Sequence, residues 1–210
     1  MLAFFFASLG ALFSVVNPLG AIPIFLALTG DYTPRHREST ARATAMWFTL
    51  ILTAFFLAGK VILDFFGISL DALQIAGGLI ILNSGYGLLN GNFEQRRVNK
   101  DVEMEAMSKQ DISFTPMAMP MLSGPGSISL LITLFTKHPD WDNRLLVIAA
   151  ILSMAALIYL TLRYAGLLFK VLGSSGLKAL SRIMGFLVMS IGIQYLIYGV
   201  VGLVKEIGLS

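Results

Sequence analysis

Two apolar stretches of the sequence are interrupted by proline, glycine and small polar side chains. The first break covers residues 17–23 and reads NPLGAIP, and the second break covers residues 123–127 and reads SGPGS. Proline lacks an amide donor and clashes with the carbonyl four residues back, and glycine lacks the side chain that favours a helix. We therefore expect both helices to open. Amides at the start of a half-helix favour a carboxylate, so each break is a candidate site for a small solute.

The candidate site combines both breaks with a glycine pair in a third apolar stretch. Unpaired backbone groups are costly in hydrocarbon, so opened backbone is tolerated only where it is buried in protein or lines a polar cavity. A plain proline kink is the alternative for either break alone, but two breaks at matched positions favour a binding site. The candidate substrate-binding residues are Asn17, Pro18, Gly20, Pro23, Gly77, Gly78, Ser123, Gly124, Pro125, Gly126 and Ser127.

The composition indicates a membrane protein. Of 210 residues, 56% are hydrophobic and only 13% are charged, whereas a soluble domain carries about 25% charged residues. With no cysteine and two histidines, the chain offers no thiol nucleophile, no disulfide and no His-rich metal site. It also contains no P-loop, HExxH, paired-acid or Ser-His motif. We predict a protein that is not an enzyme, needs no cofactor and binds no nucleic acid.

Six uncharged stretches predict six transmembrane helices. A bilayer core about 30 Å thick needs roughly 20 apolar residues in a helix. The two shorter stretches extend past one basic residue near their ends, and the first stretch lacks the basic start and the cleavage site of a signal peptide. We expect an all-α integral membrane fold in contact with the lipid bilayer. The stretches are residues 1–30, 43–59, 72–93, 112–136, 145–162 and 183–204.

The second half of the sequence resembles the first at an offset of 107 residues. At that offset Gly78 and Gly85 align with Gly185 and Gly192, and the two breaks align with one residue of slippage. Three helices per half force the second half to enter the membrane from the opposite side. We predict a 3+3 inverted repeat with broken first and fourth helices, an architecture typical of secondary transporters. The halves are residues 1–93 and 112–210, joined by a polar cytoplasmic linker at residues 94–111.

Lysine and arginine determine the expected orientation. Eleven of them lie in or beside residues 31–42, 90–111 and 167–182, and four lie on the other side. Basic residues accumulate in cytoplasmic loops, so these segments are predicted to be cytoplasmic and both termini to be outside. Asp64 and Asp71 lie toward the outer ends of their helices, and no carboxylate lies at the centre of a span. The coupling ion is left open between a proton carried by one of these acids and sodium bound by carbonyls.

Glycine and polar residues also recur within the apolar stretches. Gly185, Gly192 and Gly199 are spaced by seven residues, nearly two helical turns, so they share one face and favour close helix packing. Lys60 and Asp64 are four residues apart, which allows them to pair on one helix face. Four polar residues of the third and sixth helices either line a solute path or bridge helices. They are Asn83, Ser84, Ser190 and Gln194.

The residues around both breaks resemble the signature of the MarC family of bacterial inner-membrane proteins. The similar segments are residues 17–29, 66–69, 75–78 and 120–126, and the similarity covers nearly the whole chain. The resemblance implies six spans, a relation to LysE-like amino-acid exporters, and transport of small neutral amino acids such as alanine and glycine. The pattern of breaks alone implies only transport.

The leading hypothesis is a secondary carrier of small neutral amino acids that works by alternating access. Backbone amides at the breaks would hold the substrate carboxylate, and carbonyls or Asn17 would hold its amino group. A channel, or an efflux protein for drugs or metabolites, is the first alternative. A non-transporting membrane scaffold that binds a partner through its polar linker is the second. A homo-oligomer is compatible with the glycine faces of the third and sixth helices.

Overall fold

The computed structural model describes residues 1–90 and 111–206 together with Gly208. These residues form helices joined by short turns, with no strand among them. The predicted linker at residues 94–111 lies outside the described residues, except for Asp111. The elements in chain order are α1 (Leu2–Val16), a 3-10 turn (Pro18–Ala21), α2 (Ile22–Leu28), α3 (Pro34–Phe66), α4 (Leu70–Leu89), a widened helical segment (Ser113–Leu122), α5 (Pro125–Lys137), α6 (Trp141–Arg163) and α7 (Ala165–Glu206).

Five helical units of the described chain are long and apolar enough to span a membrane. One unit is Leu2–Leu28, in which α1 and α2 are joined through the first break, and the others are α3, α4, α6 and α7. The widened segment and α5 are bent by 63°, and they make a sixth span if the bent pair crosses the membrane as one unit. The prediction of an all-α membrane protein is confirmed, with five or six candidate spans.

Two segments that were predicted as loops are largely helical. Residues 31–42 reduce to a short turn, because the Thr33 hydroxyl caps α3 by accepting a hydrogen bond from the His36 amide at 3.3 Å. Pro34 occupies the first helical position, where its missing amide proton is not needed. Residues 167–182 lie within α7. The loop prediction was wrong for most of these residues, because charged residues end an apolar stretch without ending the helix. Within residues 167–182 only Gly173 leaves the helical conformation.

Two glycines with positive φ interrupt the long helices. Gly67 ends α3 with φ 65°, and the following amide of Ile68 donates to the Leu63 carbonyl at 2.9 Å. Gly173 has φ 65° inside α7 and divides that helix into two parts. Residues other than glycine reach this conformation only with strain. The two turns lie 106 residues apart, close to the 107-residue offset of the sequence repeat.

α4 and α7 run antiparallel and make the most extensive helix contact in the described chain. Glycines bring the two backbones together. A Cβ atom built on Gly78 would lie 2.8 Å from the Gly192 carbonyl oxygen, and one built on Gly85 would lie 2.8 Å from the Gly185 carbonyl oxygen. Gly199 approaches the first turn of α4 in the same way. The predicted glycine face is confirmed as a surface for close helix packing.

The other helices enclose the main apolar core. Phe25, Phe48 and Phe56 are fully buried there among aliphatic side chains of α1, α5 and α6. In a lipid surrounding, such packing stabilises the fold through dispersion, because lipid tails are as apolar as the core. Val16 and Leu122, which flank the two breaks, belong to this core. Both breaks are therefore held inside packed protein.

Candidate binding site at two helix breaks

The first break begins at Asn17, where α1 ends. Asn17 has φ 47° and ψ 67°, a left-handed conformation that asparagine tolerates better than most residues. Its Oδ1 accepts a hydrogen bond from the Gly20 amide at 3.4 Å, which holds the 3-10 turn that starts at Pro18. Its Nδ2 has no hydrogen-bond partner in the described part of the chain, although the residue is only 2% exposed. Two donor hydrogens are therefore left unpaired at the break.

The second break follows the widened segment. Thr115 and Met119 leave the helical conformation, and each precedes a proline, where that conformation is disfavoured. Ser123 then has φ −103° and ψ 55°, and its amide donates to the Ala118 carbonyl at 2.8 Å. The Ser123 hydroxyl is fully buried and has no hydrogen-bond partner that the structure describes. The second break thus also leaves a buried polar group unpaired.

α5 starts at the second break with an uncapped N-terminus. Gly124 precedes the helix and has no side chain to accept from the first-turn amides, and Pro125 occupies the first position. The Ser127 hydroxyl, which is buried, donates to the Gly124 carbonyl at 2.8 Å. The amides of Gly126 and Ser127 precede the hydrogen-bond ladder of the helix, and the helix dipole favours an anion beside them.

The structure brings the two breaks together. A Cβ atom built on Gly126 would lie 3.4 Å from Cγ1 of Val15 and 2.9 Å from Cγ1 of Ile81. The 3-10 turn (Pro18–Ala21) also contacts the widened segment that precedes Ser123. The start of α5 and the end of α1 are therefore neighbours, and α4 packs against the start of α5 through Ile81.

Four predicted site residues are not fully buried or take part in helix packing. Pro125 is exposed, and Pro23 is half-buried in the first turn of α2. Gly77 packs against the Ser129 side chain and Gly78 packs against α7, so both glycines serve helix packing in this conformation. The buried members that remain at the breaks form the candidate site. They are Asn17, Pro18, Gly20, Ser123, Gly124, Gly126 and Ser127.

Polar residues that were predicted to line a path or bridge helices lie largely on exposed faces. Ser190 and Gln194 are exposed, and Ser84 is half-buried. The Ser84 hydroxyl donates to the carbonyl of residue 80 at 2.9 Å, and the Ser190 hydroxyl to that of residue 186 at 3.0 Å, each within its own helix. The bridging prediction was wrong for these two serines, because a hydroxyl in hydrocarbon can bond to the carbonyl one turn earlier.

The acids lie at helix ends. Asp64 is exposed and pairs with Lys60 at 3.0 Å, which confirms the predicted pair. Asp71 lies in the first turn of α4 after the Ser69 cap, where a negative charge complements the helix dipole. The Asp71 carboxylate packs against Gly202 of α7. Among the described residues, no three Asp, Glu, His or Cys side chains form a group that could hold a metal ion.

A buried glutamine in α4 was not singled out from the sequence. Gln74 is 1% exposed, and neither its Nε2 nor its Oε1 has a hydrogen-bond partner in the described structure. It lies three residues before Gly77 and four before Gly78, so it shares their face of α4. This spacing could have predicted the burial of Gln74 from the sequence, because packing glycines mark the buried face of a membrane helix.

Arg37 joins the end of α2 to the start of α3. Its Nη2 donates to the Thr29 carbonyl at 2.6 Å and its Nε to the Thr29 hydroxyl at 3.1 Å. Charged hydrogen bonds contribute about 1.5–3 kcal/mol each. We expect Arg37→Ala to lower the melting temperature in detergent by several degrees, whereas Arg35→Ala, at an exposed position of the same helix, leaves it unchanged. Equal melting temperatures for the two variants would contradict this role of Arg37.

A groove of about 350 Å³ opens between α3 and α6. Its lining includes Arg42 and Tyr159 together with Ala45 and Ala155. The two alanine side chains are too small to fill the space between the helices. The Tyr159 hydroxyl donates to the Glu38 carboxylate at 3.0 Å on the same side of the two helices. The groove includes none of the predicted site residues, so it is separate from the breaks.

Comparison with known proteins identifies the family of the chain. Residues 2–204 match the family described as MarC family integral membrane protein. A UPF0056 membrane protein of Methanocaldococcus jannaschii is 37% identical over 201 residues, which cover 96% of this chain and 98% of the relative. The UPF0056 membrane protein YvbG of Bacillus subtilis is 33% identical, with 92% of each chain covered.

A third relative is the UPF0056 inner membrane protein MarC of Salmonella typhimurium, which is 30% identical over 207 residues with 92% of each chain covered. No solved structure matches the chain. The family match includes both breaks and extends from the start of α1 into the last turns of α7. The chain is a multi-pass membrane protein that belongs to the MarC family.

Proposed function

We propose that the chain is a secondary carrier of small neutral amino acids of the alanine and glycine class. The observation that carries the proposal is the meeting of two helix breaks that leave buried polar groups unpaired. These groups are Nδ2 of Asn17, the hydroxyl of Ser123 and the first amides of α5. A buried group without a partner costs about 1–3 kcal/mol, and a ligand that pairs it accounts for its presence.

The groups at the breaks match the two charged ends of an amino acid. The amides of Gly126 and Ser127 would bind the carboxylate, assisted by the dipole of α5. Carbonyls at the end of α1 would bind the ammonium group together with Oδ1 of Asn17. A small substrate side chain is favoured, because Gly126 already lies close to Val15 and Ile81.

We also propose that the fold is a 3+3 inverted repeat. The break residues Asn17 and Ser123 lie 106 positions apart, and the positive-φ turns at Gly67 and Gly173 have the same separation. Each half would then contain a broken helix, a long helix, a glycine with positive φ that follows it in the chain, and a glycine-faced helix. The proposed halves are residues 1–93 and 112–210.

The contact between α4 and α7 supports the same symmetry. A shift of 107 residues carries Gly78 onto Gly185 and Gly85 onto Gly192. The observed pairs are Gly78 with Gly192 and Gly85 with Gly185, so the shift exchanges one contact for the other. A twofold axis in the membrane plane has this effect, because it relates two halves that enter the membrane from opposite sides.

The proposed carrier works by alternating access around the breaks. Rocking of one half against the other would open the breaks to one side of the membrane at a time. The excess of basic residues assigns residues 31–42, 90–111 and 167–182 to the cytoplasmic side and both termini to the outside. The name of the Salmonella relative supports a bacterial inner membrane. The relation to LysE-like exporters that the resemblance to the MarC family implies supports an amino-acid substrate.

Counterflow in proteoliposomes tests the proposal. Vesicles that contain the purified protein and unlabelled alanine are expected to accumulate labelled alanine transiently, and external unlabelled glycine is expected to compete. A channel would release the internal alanine at a rate that does not depend on external substrate. A scaffold would give the same alanine flux as vesicles without protein. Repeating the assay with a proton gradient and with a sodium gradient identifies the coupling ion.

A substitution control accompanies this assay. Ser190→Ala changes an exposed residue whose hydroxyl bonds to its own helix, so it is expected to exchange alanine like the wild type. Absence of alanine and glycine exchange in vesicles whose protein is folded and correctly inserted would contradict the amino-acid assignment.

A further inference from the structure

A buried polar cluster lies in the seam between α4 and α5. Ser129 packs over Gly77, and its hydroxyl donates to the Leu73 carbonyl at 3.3 Å, a bond that joins the two helices. Gln74, the next residue of α4, is 1% exposed with both amide atoms unpaired in the described structure. Thr133 lies one turn beyond Ser129 in α5 and is 3% exposed. The cluster is thus buried, uncharged and only partly hydrogen-bonded.

The register of the two helices brings Gln74 and Thr133 to one level. α4 meets the start of α5 at Ile81 and meets Ser129 at Gly77, so residue numbers rise along one helix as they fall along the other. Because both helices advance by one turn every 3.6 residues, extending this register by one turn places Gln74 beside Thr133.

The position of the cluster along the helices can be given relative to α7 and to two charged residues. Tyr195 of α7 is 8% exposed, and its hydroxyl approaches the hydroxyl of Thr133. Asp71 and Lys137 lie about one turn further toward the membrane face at which α4 begins, and Nζ of Lys137 sits 4.6 Å from the centre of the Tyr198 ring. The cluster therefore lies about 5 Å inward of these charges.

We propose that Gln74, Ser129 and Thr133 form a second binding position for a small zwitterionic solute. This position becomes accessible when the seam between α4 and α5 opens toward the face at which α4 begins. A carboxamide donates to a carboxylate and accepts from an ammonium group, and hydroxyls do both. Thr133 lies about 10 Å along α5 from Gly126, so the solute would pass this position on its way to the breaks.

This inference rests on the proposed carrier function and adds specificity-determining residues to it. A purely structural role does not account for the cluster, because an apolar side chain of similar volume would fill the seam without leaving a carboxamide unpaired. A residue that lowers stability in the closed state and binds solute in the open state is typical of a functional position.

Gln74→Met is the first test, because methionine keeps the length of the side chain and removes its hydrogen-bonding groups. We expect the KM for alanine exchange to rise about tenfold and the melting temperature to rise by about 2 °C. Gln194→Met is the matched control, since Gln194 is exposed on α7, and both quantities are expected to stay at wild-type values.

A second variant keeps the test independent of one substitution. Thr133→Val removes a hydroxyl at constant shape and is expected to raise KM in the same way as Gln74→Met. The inference would be overturned if Gln74→Met lowered the melting temperature and both variants kept the wild-type KM, because the cluster would then only support the fold.

Single-cysteine labelling tests the opening of the seam directly, because the chain contains no cysteine of its own. Thr133→Cys is expected to react with a membrane-impermeant thiol reagent from the face at which α4 begins, and saturating alanine is expected to slow the reaction at least severalfold. Ser190→Cys controls for reagent that enters the lipid.

The outcomes separate this inference from the proposed function. If the wild type exchanges alanine while Thr133→Cys stays unreactive, or reacts without protection by alanine, the second binding position is refuted and the carrier function stands. If the wild type exchanges no amino acid in the counterflow assay, the carrier function fails on its own measurement, whatever the reactivity of the cysteine.

Discussion

Gly192→Ala is expected to separate α4 from α7 and to lower the free energy of unfolding by about 3 kcal/mol. A Cβ atom on Gly192 would lie 2.7 Å from the Leu82 amide nitrogen and 2.9 Å from the Gly78 carbonyl oxygen. Backbone atoms cannot rotate aside as a side-chain tip can, so the helices must move apart along their contact. Gly85→Ala, which meets the Gly185 carbonyl oxygen at 2.8 Å, is expected to have a similar effect.

Gly87→Ala is the matched control for this prediction. Gly87 lies in α4, but a Cβ atom built there meets nothing within 4 Å. Alanine favours a helix over glycine by about 1 kcal/mol, so this variant is expected to be as stable as the wild type or more stable. At roughly 2–4 °C per kcal/mol, Gly192→Ala should lose about 6–12 °C in melting temperature in detergent. An equal loss in Gly87→Ala would contradict the proposed cause.

Asn17→Gly is expected to fold like the wild type and to lose alanine exchange by about tenfold or more. Glycine adopts φ 47° without strain, so the backbone of the break is preserved. The substitution removes the Oδ1 that holds the Gly20 amide and the unpaired Nδ2. A hydrogen bond to a charged group contributes about 1.5–3 kcal/mol, which corresponds to roughly tenfold to more than a hundredfold in affinity.

Exchange rate and melting temperature must be measured on the same preparation of Asn17→Gly. Asn90→Gly is the control, because Asn90 also follows the end of a helix but is exposed and lies at the end of α4. Asn17→Ala is less informative, since alanine at positive φ adds backbone strain to the loss of the amide. Wild-type exchange by Asn17→Gly would mean that Asn17 only shapes the break.

Features that depend on local chemistry could be predicted from the sequence. Proline and glycine act within one helical turn, so both breaks follow from the residues around Asn17 and Ser123. A spacing of seven residues fixes one helix face, which made the contact through Gly185 and Gly192 predictable. The pair of Lys60 with Asp64 needs only a spacing of four residues on one helix.

Features that depend on helix packing could not be predicted in the same way. Lipid and protein core are both apolar, so the hydrophobic pattern of a membrane helix does not separate its buried face from its lipid face. Gln74 and Gln194 are chemically identical, but the first is buried and the second is exposed. Likewise, the charged residues at the start of α3 and in the first part of α7 end an apolar stretch but do not end the helix.

The glycine contact between α4 and α7 has a consequence for synthesis of the chain. Gly85 and Gly185 are 100 residues apart, so α4 reaches the membrane well before its partner exists. At roughly 5–20 residues per second, the ribosome needs about 5–20 s to supply that partner. During this interval the glycine face of α4, which carries Gly78 and Gly85, has no helix packed against it. A nascent chain that stops before Gly185 therefore never makes α7, the packing partner of α4. We expect such a truncated chain to be a substrate for the proteases of membrane quality control.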